Sequence, residues 1–247
     1  MSGIDTEYAK TKAALIGAIG KFDSPAWSTK VPATPDWTVR DVVAHVTGNA
    51  VDGANGTMPA NLNLLEQFRD AEVVKARDEF AEGQVYRREG RTPAELVREW
   101  DAAEPALVER LRLDANADGA LPFGFDVVLL TDLCVHSDDV ANALGRLPNR
   151  DTRASRIAFS GYCFGVDYRI RALGLPALGL RYGAKEKTLG EGPPAATVSA
   201  DIWELLRAFA GRRSRAQIAA LDWEGDPEPF LELIPAYGER EDDLVEG

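Results

Sequence analysis

The sequence predicts a mainly α-helical bundle over residues 1–173 and a small α+β module over residues 174–247. Three observations carry that prediction. Apolar residues recur at helical spacing through the first two thirds of the chain, with no convincing strand among them. Several of these stretches open on recognisable helix-start signals and close on glycine or proline. After residue 174 the composition changes to short runs that read as strands, separated by a turn region rich in glycine and proline.

The elements follow in order. Glu7 to Phe22 carries an apolar stripe of Ala13, Leu15, Ile16 and Ile19. Pro32, Pro35 and Asp36 then interrupt the pattern. Thr38-Val-Arg-Asp41 has the form of a capping box, with Asp41 in the place usual for Glu or Gln, and starts a helix through Val42, Val43 and Val46 towards Asn49. Gly53–Asn61 separates it from a helical pattern around Leu64–Phe80. Thr92-Pro-Ala-Glu95 combines a capping threonine, a first-turn proline and a glutamate three residues after the cap. The helix it opens carries Leu96, Val97, Trp100, Ala103, Leu107 and Leu111. A loop with Gly119, Pro122 and Gly124 precedes a helix from Asp126 to Leu144, which Gly145 and Pro148 end. A further helix spans Arg153 to Leu173. Pro176–Tyr182 and Ala195–Ser199 read as strands around a turn region, Gly183–Pro194. Asp201 opens a helix with Ile202, Leu205, Leu206 and Phe209, ended by residues 211–214. From Glu239 the tail is acidic and is expected to fray.

Composition narrows the function. The chain has 40 acidic and 28 basic residues, a net charge of −12, which argues against nucleic acid or an anionic membrane as partner. No apolar run approaches the length of a membrane span, and the polar first ten residues do not form a signal peptide. Cys134 and Cys163 lie in apolar stretches and read as buried free thiols. These features predict a soluble, cytoplasmic protein.

Chemistry concentrates on the two histidines. His136 lies on the stripe of Leu129, Leu133 and Val140, with Asp132 one turn before it and Asp139 almost one turn after. His45 sits at the edge of its helix, with Asn49 one turn below. From pattern alone, Asp132 and His136 admit three readings: an i,i+4 ion pair, a core histidine, or two ligands of a metal site completed by His45.

A resemblance bears on that choice. Trp37-Thr-Val-Arg-Asp-Val-Val-Ala-His45-Val-Thr-Gly-Asn49 resembles the first metal-ligand helix of the DinB-like superfamily, and more narrowly of the mycothiol-dependent maleylpyruvate isomerase family. Asp132-Leu-Cys-Val-His136-Ser-Asp-Asp139 is similar to that family's acid-x-x-x-His-x-x-Asp pattern. Thr197–Asp201 and Trp203–Ser214 resemble its C-terminal module, and Arg212 falls at the place of an arginine important for activity. The resemblance spans most of the chain. It implies a DinB-like bundle holding a divalent ion, zinc above all, on His45, Asp132 and His136, where the family's carboxylate is a glutamate. It also implies mycothiol as the thiol cofactor and a small-molecule substrate.

Three protein ligands would leave a coordination position open, and two neutral imidazoles with one carboxylate would leave a net charge of about +1 on a zinc site. Such a site favours a thiolate. Addition of a thiolate to an electrophilic carbon gives a conjugate, or, after bond rotation and elimination, a cis–trans isomer. Arg212 is the candidate cation for a substrate carboxylate, with a surface arginine in a polar turn as the other reading. Asp139 reads first as an intrahelical ion-pair partner and second as a residue that orients His136. The expected function is therefore a metal- and mycothiol-dependent isomerase or S-transferase. A non-catalytic small-ligand-binding protein and a metal-hydroxide hydrolase are the alternatives.

Overall fold

The computed structural model describes residues 3–59, 69–113, 121, 124–146 and 150–246. The described residues fall into two compact units, one of residues 3–59 and 71–146, the other of residues 69–70 and 150–246.

In the first unit, α1 (Ile4–Ile19) is followed by a 3₁₀ turn (Pro25–Ser28) and a short antiparallel pair, β1 (Lys30–Val31) and β2 (Thr34–Thr38). Then come α2 (Val39–Asn55), α3 (Ala71–Tyr86), α4 (Pro93–Arg112) and α5 (Phe125–Ala143). The β1–β2 pair was not expected, because Pro32, Pro35 and Asp36 read as breakers. β1 is too short to show a period of two, and β2 does not alternate.

Helix α2 is the centre of this unit. All nine residues from Val42 to Ala50 are buried, and the helix packs on α3, α4 and α5. Its start is the expected capping box: Asp41 N–H donates to the Thr38 hydroxyl at 3.3 Å, and Thr38 N–H donates to Asp41 Oδ2 at 2.9 Å. Because Thr38 also ends β2, strand passes into helix with no loop between. The Thr92–Glu95 box starts α4 in the same way. Helix α1 packs on α5 and α4. Buried Lys12 donates from α1 to Asp101 at 2.7 Å and Glu104 at 2.6 Å on α4, and the Trp100 indole donates to Tyr8 Oη at 3.1 Å.

The helix expected at Leu64–Phe80 is seen at Ala71–Tyr86; residues 64–68 lie outside the described residues, as do Gly119, Pro122 and Pro148.

The second unit holds α6 (Arg153–Ala172), β3 (Ala177–Tyr182), β4 (Lys185–Leu189), β5 (Pro194–Ser199), α7 (Ile202–Phe209), α8 (Arg215–Ala219), β6 (Asp222–Gly225) and α9 (Glu228–Leu231). The sheet order is β4-β3-β5-β6, with β3 and β5 parallel and the other pairs antiparallel. One expectation is corrected here. The turn region Gly183–Pro194 contains β4, an edge strand whose Lys-Glu-Lys-Thr run is polar on both faces and of which only Leu189 is buried. Within the second unit α6 packs on α7 and β4, with the Phe159 ring against Phe209 of α7.

The acidic tail does not fray. The Glu246 side chain, 2% exposed, pairs with Arg207 and, at 2.7 Å, with Arg213, while Leu244 is buried. Arg213 also binds Glu204 at 2.5 Å. Burial alone would lower the Arg213 guanidinium, but Glu204 and Glu246 outweigh it and raise it. The sequence showed a run of acids without the two buried cations that hold one of them.

Candidate metal centre

Helical spacing does the first part of the assembly. His45 and Asn49 stand one turn apart on α2, and Asp132 and His136 one turn apart on α5. Packing of α5 on α2 brings the two pairs together: His45 Nε2 lies 3.2 Å from Asp132 Oδ2, and His136 Nε2 lies 3.6 Å from Asp132 Oδ1. One ligand atom from each of the three residues lies within 4.8 Å of the other two. Both histidines are buried, and Asp132 is half-buried.

The surroundings fix these side chains. The His136 ring places Nδ1 3.1 Å from Asp139 Oδ2, a carboxylate 1% exposed. An ionised carboxylate only accepts, so this contact keeps a proton on Nδ1 and turns Nε2 towards Asp132. Asn49 Nδ2 donates to Asp132 Oδ2 at 2.8 Å and lies 3.3 Å from His45 Nε2. Trp37, on β2, covers the pair, its ring centre 5.2 Å from that of His45 and 6.1 Å from that of His136. His45 Nδ1 is buried without a hydrogen-bond partner, so nothing fixes the tautomer from that side of the ring.

The donor set fits a divalent cation. A lone pair on His136 Nε2 and an ionised Asp132 oxygen are both electron-rich, and facing each other they repel unless a cation or a proton stands between them. Two imidazole nitrogens and one carboxylate are a common catalytic zinc set. Bond lengths of about 2.0–2.2 Å put tetrahedral ligand atoms roughly 3.4 Å apart. The two measured separations, 3.2 Å to Asp132 Oδ2 and 3.6 Å to Asp132 Oδ1, lie near that value and run to different oxygens of the one carboxylate. Asp139 on the far nitrogen of His136 supplies the carboxylate–histidine pairing that orients metal-bound imidazoles.

The sequence singled out all three converging residues, and read Asp139 as an intrahelical partner ahead of an orienter. It missed Trp37, whose contact depends on the β1–β2 pair, and Gln84, which donates to Asn49 Oδ1 at 3.0 Å from α3. Arg212 belongs to the second unit, half-buried, and its Nη1 donates to the Ala210 carbonyl at 3.0 Å.

Comparison with known proteins bears on these residues. Residues 8–141 match the family model described as the mycothiol maleylpyruvate isomerase N-terminal domain. Two solved structures share the fold, both of the mycothiol-dependent maleylpyruvate isomerase. A histidine-to-alanine variant is 14% identical at a TM-score of 0.55, covering 90% of this chain and 91% of that one. A second structure is 16% identical at a TM-score of 0.53, covering 85% and 88%. No protein of curated function matches. The family match takes in more than half of the chain, from Tyr8 to Ala141, and encloses all three converging residues; the chain belongs to the mycothiol maleylpyruvate isomerase N-terminal domain family.

Proposed function

We propose that this chain is a metal- and mycothiol-dependent isomerase or S-transferase acting on a small electrophilic, carboxylate-bearing substrate. The observation that carries the reading is the convergence of His45, Asp132 and His136, inside the matched family domain, on a point where each can offer one ligand atom.

His45, Asp132 and His136 are the residues that would hold the ion, zinc by preference for this donor set. When bound, such an ion supplies the positive charge that favours the thiolate form of a thiol at neutral pH. Asp139 keeps the proton of His136 on Nδ1, away from the ligand nitrogen. Trp37 shields the imidazoles from water on one side, which strengthens their electrostatic interactions. Arg212 is assigned the substrate's carboxylate, which a guanidinium binds through two parallel hydrogen bonds.

Elemental analysis of untagged protein tests the site directly. Roughly one zinc per chain is expected in the wild type, lost in His45→Ala, Asp132→Ala and His136→Ala. Isomerisation of maleylpyruvate and conjugation of electrophiles, each with and without mycothiol, then separate isomerase from transferase. Arg212→Ala is expected to raise KM for carboxylate substrates while leaving zinc content unchanged. Wild-type protein that takes up no metal from added zinc overturns the reading and leaves the three residues as an ion-pair cluster.

A further inference from the structure

The carboxylate of Asp132 is held from a direction that the family resemblance did not indicate. Asn49 Nδ2 donates to Asp132 Oδ2 at 2.8 Å, and Asn49 Oδ1 accepts from Gln84 Nε2 at 3.0 Å. Gln84 Nε2 also donates to Asp52 Oδ2 at 2.8 Å. Asn49 and Gln84 are buried, Gln84 completely.

A carboxamide can be turned over, exchanging its donor and acceptor ends, so something must set which way each one faces. Here both ends of the chain are carboxylates, which accept only. Asp52 requires the NH₂ of Gln84, and that same nitrogen requires the oxygen of Asn49. The NH₂ of Asn49 is thereby left for Asp132. Turning either amide would set oxygen against a carboxylate. Gln84 keeps this orientation although it leaves Oε1 buried without a partner.

The backbone is arranged for the contact. Gly48 lies beneath Gln84, and a Cβ at that position would stand 2.7 Å from Gln84 Cβ and Cγ. The missing side chain is what lets α3 bring Gln84 over α2 and within reach of Asn49 and Asp52.

We infer that Asp52, Gln84 and Asn49 form a directional relay that positions Asp132 for metal binding, anchoring Oδ2 and leaving Oδ1 turned to His136. The inference rests on the reading of Asp132 as a metal ligand. The three residues are positioning residues and not catalytic ones, and each acts through the next.

The test is zinc affinity of the full-length protein by competition with a chromophoric chelator, together with the visible spectrum of the cobalt(II)-loaded form. Asn49→Leu removes the donor at near-constant volume, and Gln84→Met removes it on an unbranched chain that still fits over Gly48. Asn49→Leu is expected to weaken zinc binding about 10–100-fold, the usual effect of losing a partner of a metal ligand. Gln84→Met is expected to weaken it less, and both to shift the cobalt spectrum. Because Gln84 acts through Asn49, the double variant is expected to bind zinc no more weakly than Asn49→Leu alone. Near-UV circular dichroism checks the folding of each variant. Asn49→Ser carries the same test if Asn49→Leu does not fold. Wild-type affinity and an unchanged spectrum in folded Asn49 variants overturn the relay while leaving the metal site standing, as do losses that multiply in the double variant. Wild-type protein that binds neither zinc nor cobalt overturns the metal site, and the relay with it.

Discussion

Asp139 and Asp132 flank His136 on one helix, yet the structure gives them opposite jobs. Asp139 is buried and meets Nδ1, whereas Asp132 is half-buried and meets Nε2. Asp139→Asn allows the amide to donate to Nδ1, which moves the imidazole proton to Nε2 and blocks the ligand position. Zinc affinity is expected to fall about 10–100-fold, measured by chelator competition. A variant that binds zinc as the wild type does would make Asp139 an intrahelical partner and no more. At this scale, the site was legible where helix geometry alone places residues, as for Asp132 with His136 and His45 with Asn49. Trp37 and Gln84 were not, because their contacts cross between elements whose packing no local pattern records. His45 itself looked like an edge residue, since the valines beside it suggested a one-sided helix. The burial of every residue from 42 to 50 shows that the middle of α2 is covered on every side, so His45 and Asn49 face protein and not water.

Among the elements, those with capping signals were found closest to their predicted starts. Thr38, Thr92 and Asp201 all cap as read, because a cap is a contact within four residues. Strands β1, β2, β4 and β6 were missed because they are short or lie at sheet edges, where side chains are exposed on both faces and no alternation marks them. The cap of α2 has a pH signature. Burial pushes the Asp41 carboxyl upward, but its bonds to Thr38 and the neighbouring Arg40 outweigh this and hold it below its ordinary value of 3.8. A carboxyl lowered in the folded state contributes stability that is full above its unfolded value and lost as pH falls through the folded one. Asp41→Asn is therefore expected to lower stability by about 1 kcal/mol at pH 7, and the gap from the wild type is expected to close below pH 3.8, read by urea unfolding at both pH values. A gap independent of pH would remove the charge from the explanation. Cys163, inside α6, shows the opposite shift: burial pushes its thiol up to about 12. Native protein is expected to react with a thiol reagent at this position only as fast as it unfolds.

Across the whole chain, two units each build a core of their own, and none of the helices in the described residues is long and apolar enough to cross a membrane. The sequence predicted the order of a helical part and a mixed part, and it assigned α6 by its helical period. In the structure α6 packs on α7 and β4. The second unit is closed by charge as well as by apolar burial, with Glu246 set against Arg207 and Arg213. Neutralising one member of a buried ionic cluster leaves charge uncompensated, so Glu246→Gln is expected to cost roughly 3–5 kcal/mol in denaturant unfolding. An effect under about 1 kcal/mol, the range of surface ion pairs, would mean that water reaches these groups. The junction at Thr38 has a consequence of a different kind. Strand becomes helix there without slack, so the number of residues from Trp37 to His45 works as a length standard for the site. One residue inserted within α2 ahead of His45 would turn the imidazole about 100° around the helix axis and carry it out from under the indole.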